Sequence, residues 1–351
     1  MEKFLLQNFR IIRILISIII GLLLAASLIF IFSKDALFSI KLLLFGPLLS
    51  KARFGNVIET ATPILLCGLA IAIPFRAGQF YIGAEGSLYL GAALGTAFAV
   101  STRMPSIFHI PLTLIVAGIS GGLWSFFPAF LKAKWRVNEL VSSLMLNYIA
   151  YFLGLYLINF HFRDKSAGYL VSYQLPESAW FQQFIPGTRI HWGIILALII
   201  TFLIYYFLFF TTKGYEIRMT GLNRDFAQYS GININKVIIL SISLAGLLSG
   251  IAGISEVMGI HRRFNWQMSP GYGWDGVIVA IIGRNHPLAI ILSSLFIAYL
   301  RVSGQVLNIQ SDIPYELITT MQALIILLIT AEAFLEGIRF KLILKEAGIR
   351  K

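Results

Sequence analysis

A single cysteine occurs among 351 residues, Cys67, and it lies within an apolar run. No intrachain disulfide and no cysteine-based metal cluster can form from it. Charge is also scarce: Asp, Glu, Lys and Arg make up 13% of the chain against 58% hydrophobic residues. With a mean hydropathy of +0.81, a soluble fold would need a core larger than a chain of this length supplies. No Gly-x-x-x-x-Gly-Lys-Ser/Thr sequence occurs, so the phosphate cradle of a P-loop ATPase is missing. The five histidines, His109, His161, His191, His261 and His286, have no His-Glu-x-x-His or other ligand spacing, and no metal site is expected. Acidic residues number 16 against 28 basic ones, a net charge of +12. In so apolar a chain that excess belongs in cytoplasmic loops facing anionic lipid headgroups, not on nucleic acid.

What the chain does have is a series of apolar runs near the roughly 20 residues that cross a bilayer. The run 14–32 follows Lys3, Arg10 and Arg13 as a signal peptide would. It is too long for the usual apolar region of one and lacks a small-residue cleavage site, so it reads as a retained first span. Further spans are expected at 57–75, 81–100, 107–131, 139–160, 192–210, 237–258, 277–282 continuing after a break through 288–300, and 317–334. The segment 274–283 is long enough for only about half a bilayer as a helix, roughly 15 Å. The expected fold is therefore all-α: a polytopic transmembrane helical bundle of about ten membrane elements, broken half-helices among them. One domain is expected over 1–351, with a membrane core at 57–335 and a cytoplasmic loop at 211–236.

Lys and Arg set the orientation. Lys132, Lys134 and Arg136 mark one cytoplasmic connection. Lys213, Arg218, Arg224 and Lys236 mark a second, and the tail with Arg339, Lys341, Lys345, Arg350 and Lys351 a third. The long connection 161–190 then faces outward. Segment 33–56, apolar around isolated charges, reads as an amphipathic stretch lying at the interface. Gly91-x-x-x-Gly95, Gly118-x-x-x-Gly122 and Gly246-x-x-x-Gly250 are expected to bring helices close together.

Two stretches interrupt the apolar pattern: Phe75-Arg-Ala-Gly-Gln-Phe-Tyr-Ile-Gly-Ala-Glu-Gly86 and Pro270-Gly-Tyr-Gly-Trp-Asp-Gly276. Freed backbone groups at membrane depth are tolerable only beside protein or water, so such breaks point to a path for a polar solute. Gly271-Tyr-Gly-Trp-Asp-Gly276 also fits the Gly-x-Gly-x-x-Gly dinucleotide pattern, but the strand and βαβ context that pattern requires is lacking. Glu85 and Asp275 lie in these breaks, placed to cap a half-helix N-terminus or to bond a hydroxyl-rich solute. Phe80, Tyr81, Tyr272 and Trp274 lie beside them, where aromatic faces suit a sugar ring or nucleobase, or else belong to an interfacial belt. Glu139 and Glu332 sit by cytoplasmic connections and read as local backbone partners. In the loop 211–236, Arg224–Tyr229 reads as a short helix with Asn223 as N-cap and Gly231 near the C-cap. Phe226 and Tyr229 would share one of its faces, suited to docking on another subunit.

Four motifs in order carry a resemblance. They are Phe80-Tyr-Ile-Gly-Ala-Glu-Gly86; Val137-Asn-Glu-Leu-Val-Ser-Ser-Leu-Met-Leu-Asn-Tyr-Ile-Ala150; Gly221-Leu-Asn223 with Ala227 and Tyr229-Ser-Gly-Ile232; and Gly271-Tyr-Gly-Trp-Asp-Gly-Val-Ile-Val-Ala280 followed by Gly283-Arg-Asn-His-Pro287. Together they resemble permease subunits of bacterial ATP-binding-cassette importers for nucleosides and simple sugars, with the nucleoside branch most similar. Tyr81 and Ser87 stand where that family commonly has Asn and Gln. The resemblance implies a nucleoside importer permease in the bacterial cytoplasmic membrane, with no catalysis and no cofactor on this chain. ATP and Mg would be held by a separate cytoplasmic ATPase. It further implies a second homologous permease as a heterodimer partner and an extracytoplasmic substrate-binding lipoprotein. The solute path would involve Phe80, Tyr81, Glu85, Tyr272, Trp274 and Asp275. Coupling to the ATPase would involve Asn223, Arg224, Phe226, Ala227, Tyr229 and Gly231. A ribose- or galactose-type permease stays open, as does an ion-coupled secondary transporter using Glu85, Glu256 or Asp275.

Overall fold

The computed structural model describes residues 2–330, with side chains from Ile16 onward. The basic tail from Arg339, Glu332 and the last four positions of the expected span 317–334 lie outside the described residues, as do the side chains of Lys3, Arg10 and Arg13. Among the described residues there are thirteen α-helices, two isolated β-bridges and no strand. The bundle is a helical membrane protein, as its composition requires. Among the described residues six helices are long and apolar enough to cross a bilayer, and four shorter apolar helices accompany them.

Contacts divide the chain into two compact units, residues 51–298 and residues 1–50 with 299–351. In the second unit α1 (Glu2–Phe32) is followed by α2 (Ala36–Phe45) and a single 3-10 turn, Gly46–Leu48. The Asp35 carboxylate caps α2 by accepting the Phe38 N–H at 3.2 Å. Segment 33–56, expected to be amphipathic, thus contains a short apolar helix with Leu37 and Phe45 exposed, and its end already belongs to the next span.

In the larger unit the order is α3 (Lys51–Arg76), α4 (Ala84–Ser101), α5 (Ser106–Trp135), α6 (Glu139–His161), α7 (Gly193–Phe210), α8 (Thr212–Leu222), α9 (Arg224–Tyr229), α10 (Ile234–Glu256) and α11 (Tyr272–Ile282). The first half of α12 (Pro287–Gln310) completes it, while the other half and α13 (Tyr315–Thr330) belong to the smaller unit. Helix α3 starts six residues before the expected 57, because its first two turns pack beside the long connection between α6 and α7: a β-carbon on Gly55 would lie 2.7 Å from the Thr188 side chain. Every residue from Glu59 to Pro74 of α3 is buried. A helix apolar on all sides belongs in the middle of a bundle, and α3 is flanked by α7, α8, α10 and α11. By contrast α5, α6 and α7 bury about a third or less of their apolar windows and present the rest outward.

Small residues set the closest crossing. A β-carbon on Gly250 would lie 2.2 Å from the Ala117 carbonyl oxygen, and one on Gly246 would lie 2.3 Å from that of Gly121. Gly91 of α4 meets the Gly250 backbone in the same way, at 2.5 Å, so α4, α5 and α10 converge on one seam. On α5 the tight register is therefore Ala117-x-x-x-Gly121-x-x-x-Ser125. The expected Gly118-x-x-x-Gly122 pair faces Leu247, Ile251 and the Ser243 carbonyl at 3.2 Å or more. The sequence pattern placed Gly91, Gly246 and Gly250 on the contact and put only its α5 side one residue away.

Candidate functional site at the two helix breaks

Helix α3 ends because Gly78, at φ +71°, turns the chain, with the Gln79 N–H donating to the Pro74 carbonyl at 2.9 Å. Residues 77–83 are not helical, and α4 starts at Ala84. The second break follows a π-helical turn, Val257–His261, and runs irregularly to Gly271, whose φ of +81° lets α11 start. At 11 residues α11 is the half-helix expected from sequence, starting two residues earlier than the segment 274–283.

Glu85 joins the two breaks. Its Oε1 accepts the Gly271 N–H at 2.8 Å and the Ser269 hydroxyl, and its Oε2 accepts the Gly273 N–H at 2.5 Å. The carboxylate lies in the first turn of α4 and also caps the N-terminus of α11, so the positive ends of two helices converge on one negative group. Buried to 4% exposure, it would be untenable without such donors. Gly273 is what admits it: a β-carbon there would lie 2.4 Å from the Glu85 backbone nitrogen. Also on α11, the Tyr272 hydroxyl donates to Glu256 Oε1 at 3.1 Å, and Gly276 packs on Cys67 of α3.

Beside this clamp lies a cavity of about 340 Å³ between α4, α6 and the start of α11. That volume is within the range of about 300–1,000 Å³ usual for small-molecule sites. Glu85 and Trp274 line it, with Tyr89, Asn147, Tyr148 and Tyr151. The Tyr89 and Tyr151 hydroxyls are tied to the carbonyls of Trp266 and Gln267 at 2.6 and 2.7 Å, which leaves their rings as fixed apolar walls. Asn147 holds the first break against α6, accepting the Gly86 N–H at 2.9 Å and donating to the Ile82 carbonyl at 3.0 Å.

The other path candidates sit elsewhere. Phe80 is half exposed, stacks on Phe75 at 5.0 Å and donates its N–H to Glu139 at 3.2 Å. Glu139 in turn meets Lys132 at 2.6 Å, so its carboxylate joins a lysine and a backbone N–H 59 positions away. Tyr81 is buried and points to the three-helix seam, its hydroxyl 2.6 Å from Ser125 Oγ, and Ser87 bonds the same oxygen at 2.7 Å. Both departures from the family pattern thus meet at one serine, outside the residues that line the cavity. Tyr272 and Asp275 are half-buried on the first turn of α11 and do not line it either. Tyr89, Asn147, Tyr148 and Tyr151 line the cavity without being among the expected path residues, although Asn147 and Tyr148 lie within the 137–150 motif. An amide inside an apolar span was the available signal.

The loop 211–236 is two helices. Thr211 caps α8 by accepting the Gly214 N–H at 3.1 Å, and Asn223 caps α9 by accepting the Phe226 N–H at 3.0 Å. Helix α9 spans Arg224–Tyr229 as expected, and Gly231 follows at φ +84°. Phe226 is 54% and Tyr229 93% exposed, Arg224 is exposed, and Ala227 is fully buried.

Residues 53–330 match the family described as branched-chain amino acid transport system / permease component. The chain belongs to this family. The permease is 33% identical to the guanosine ABC transporter permease protein NupP of Bacillus subtilis, over 84% of this chain and 85% of that one. It is also 33% identical to the glucose ABC transporter permease protein TsgB13 of Haloferax volcanii, over 81% and 78%. Against the nucleoside ABC transporter permease protein NupB of Lactococcus lactis the figures are 29%, 92% and 91%. The same Bacillus and Lactococcus also have NupQ and NupC, 25% and 26% identical over 72% and 74% of this chain and 83% and 84% of theirs. The permease is an integral membrane protein of the multi-pass type, and among its described residues no group of three or more His, Cys, Asp or Glu could hold a metal.

Proposed function

We propose that this permease is a translocation subunit of an ATP-driven importer for nucleosides in a bacterial cytoplasmic membrane. The observation that carries the reading is the tyrosine- and tryptophan-walled cavity beside the Glu85 clamp: aromatic faces stack a base, and nearby amide and carboxylate groups suit ribose hydroxyls. The identity to guanosine and nucleoside permeases supports it. Identity of the same size to a glucose permease supports a simple sugar as the second reading.

ATP and Mg would be held by a separate cytoplasmic ATPase, docked on α9 through Phe226, Tyr229 and Arg224. Asn223 and Gly231 would shape that helix, and Ala227 would seat it. The pairing of NupP with NupQ and of NupB with NupC in their organisms supports a second, homologous permease as partner. An extracytoplasmic binding lipoprotein would deliver the solute. Movement of α9 would pass through α8 to α3 and the breaks, alternating access at the cavity. Glu85, Trp274, Tyr81, Phe80, Tyr272 and Asp275 would form and support the path, the first two by direct contact.

The test is reconstitution of the permease with its partner ATPase, a second permease and a binding protein, followed by uptake of labelled uridine, guanosine, ribose and galactose. ATP-dependent uptake of a nucleoside is expected. Uptake of ribose or galactose alone would transfer the assignment to sugars, and ion-driven uptake by this chain without the ATPase would overturn both.

A further inference from the structure

Where α3 ends and α8 ends, a second cavity of about 340 Å³ opens on the side that the basic loops assign to the cytoplasm. Its lining contains two guanidinium groups, Arg76 and Arg218, with Tyr215, Met219, Gly221 and Leu222, and no carboxylate. The guanidiniums lie 4.9 and 5.1 Å from the centroid of the same Phe209 ring, hence within about 10 Å of each other. Neither forms an ion pair among the described residues. Glu216, the carboxylate of α8, is already engaged with Lys213 at 2.8 Å. Arg76 spends its Nε–H on the Asn285 carbonyl at 2.7 Å, and the Nε of Arg218 is buried with no hydrogen-bond partner among the described residues.

Two half-buried like charges on one aromatic ring repel each other and lose hydration, a cost that a bound anion removes. The fork of a guanidinium matches the oxygens of a phosphate, and Arg serves where such planar recognition is needed. The rest of the lining is apolar or aromatic, and Leu222 is 80% exposed beside the charges. We propose that this pocket binds a phosphate-type oxyanion between Arg76 and Arg218. Two sources share that chemistry: the headgroup phosphate of an anionic lipid, whose chain would lie along Leu222 and Met219, and inorganic phosphate from the cytoplasm. Occupancy matters mechanically. A β-carbon on Gly221 would lie 2.0 Å from the Arg76 carbonyl oxygen, so the end of α8 rests directly on the end of α3 at the pocket wall. The anion would fasten that joint.

The experiment uses the full-length permease, delipidated in a neutral detergent, and follows thermal unfolding. One arm titrates inorganic phosphate; the other adds phosphatidylglycerol, with phosphatidylcholine as reference. Stabilisation by phosphatidylglycerol over phosphatidylcholine, or by phosphate, is expected, with apparent affinity weakened about tenfold in Arg218→Gln and less in Arg218→Lys. Lys134→Gln, at a separate basic loop, should leave it unchanged. A response to phosphate names the soluble anion as occupant, and a response to lipid alone names the headgroup. Equal responses in wild type and Arg218→Gln would overturn the proposal. Should Arg218→Gln fail to fold, a photoreactive phosphatidylglycerol on the wild type decides: labelling within 215–222 supports the site. Absence of both labelling and any phosphate response in the wild type overturns it.

Discussion

The Glu85 carboxylate and the Gly273 N–H lie 2.5 Å apart, 188 residues apart in sequence, and through them the first break of the chain caps the half-helix of the second. Neither residue can be exchanged freely. Glu85 provides acceptors only, and Gly273 provides the room for it.

Glu85→Gln replaces one acceptor oxygen by an NH₂ group that must face a backbone N–H. A loss of about 1–3 kcal/mol is expected, the cost of leaving a buried donor unpaired. Thermal unfolding in detergent measures it, and uptake should fall about tenfold or more if the clamp holds the path open for solute. Ser269→Ala removes one donor of several and should cost less. A Glu85→Gln protein as stable and active as wild type would remove the clamp from the mechanism.

The seam predicts a graded pair. Gly250→Ala forces a β-carbon to 2.2 Å from the Ala117 carbonyl oxygen, whereas Gly118→Ala meets only Ile251 and Leu247 side chains at 3.2 Å or more. The first should cost about 3 kcal/mol or more and the second under about 1 kcal/mol. Equal melting temperatures for the two variants would contradict the register described here.

For α9, Phe226→Ala and Tyr229→Ala change exposed rings and should alter stability by no more than about 0.5 kcal/mol. If the ATPase docks there, ATP-driven uptake should fall at least tenfold while the protein stays folded, since exposed aromatics are the usual anchors of an interface. Ala227→Arg is a poorer probe, because Ala227 is fully buried and the change would disturb α9 itself. Full uptake by the double variant would move the docking site elsewhere.

His191 lies in the connection between α6 and α7, just before α7, 1% exposed and stacked on Phe181 at 5.8 Å. Burial lowers its pKa from 6.5 to about 4. The unfolded chain therefore binds a proton that the folded one refuses between those values. Stability contributed by neutral His191 is complete above pH about 6.5 and is lost as pH falls towards about 4, by up to about 3 kcal/mol. Melting temperatures across pH 4–7 for wild type and His191→Gln should diverge in slope. Parallel curves would show that His191 protonates freely in the fold.

The helical membrane fold was legible because composition and run length alone decide it. Helix α9 was legible to the residue, since Asn223 and Gly231 are local signals acting over a few positions. Helix α8 went unread although Thr211 has the same capping chemistry, because Gly214 and Gly221 argue against a helix locally. They are tolerated there because the backbones of Phe207 and Arg76 leave no room for a β-carbon.

From the sequence by itself one can determine that the apolar pattern breaks twice, that glycines and a carboxylate mark the breaks, and that a short capped helix lies in a basic connection. Only the tertiary structure decided which groups meet: that Glu85 closes on Gly271 and Gly273, that Tyr81 turns to Ser125, and that Tyr89, Asn147 and Tyr151 complete the cavity. The physical reason is range. Caps, turns and hydropathy act over a few neighbouring residues, whereas a site is a convergence of helices remote in sequence, and its register is set by steric contacts such as Gly250 on Ala117 that no local pattern encodes.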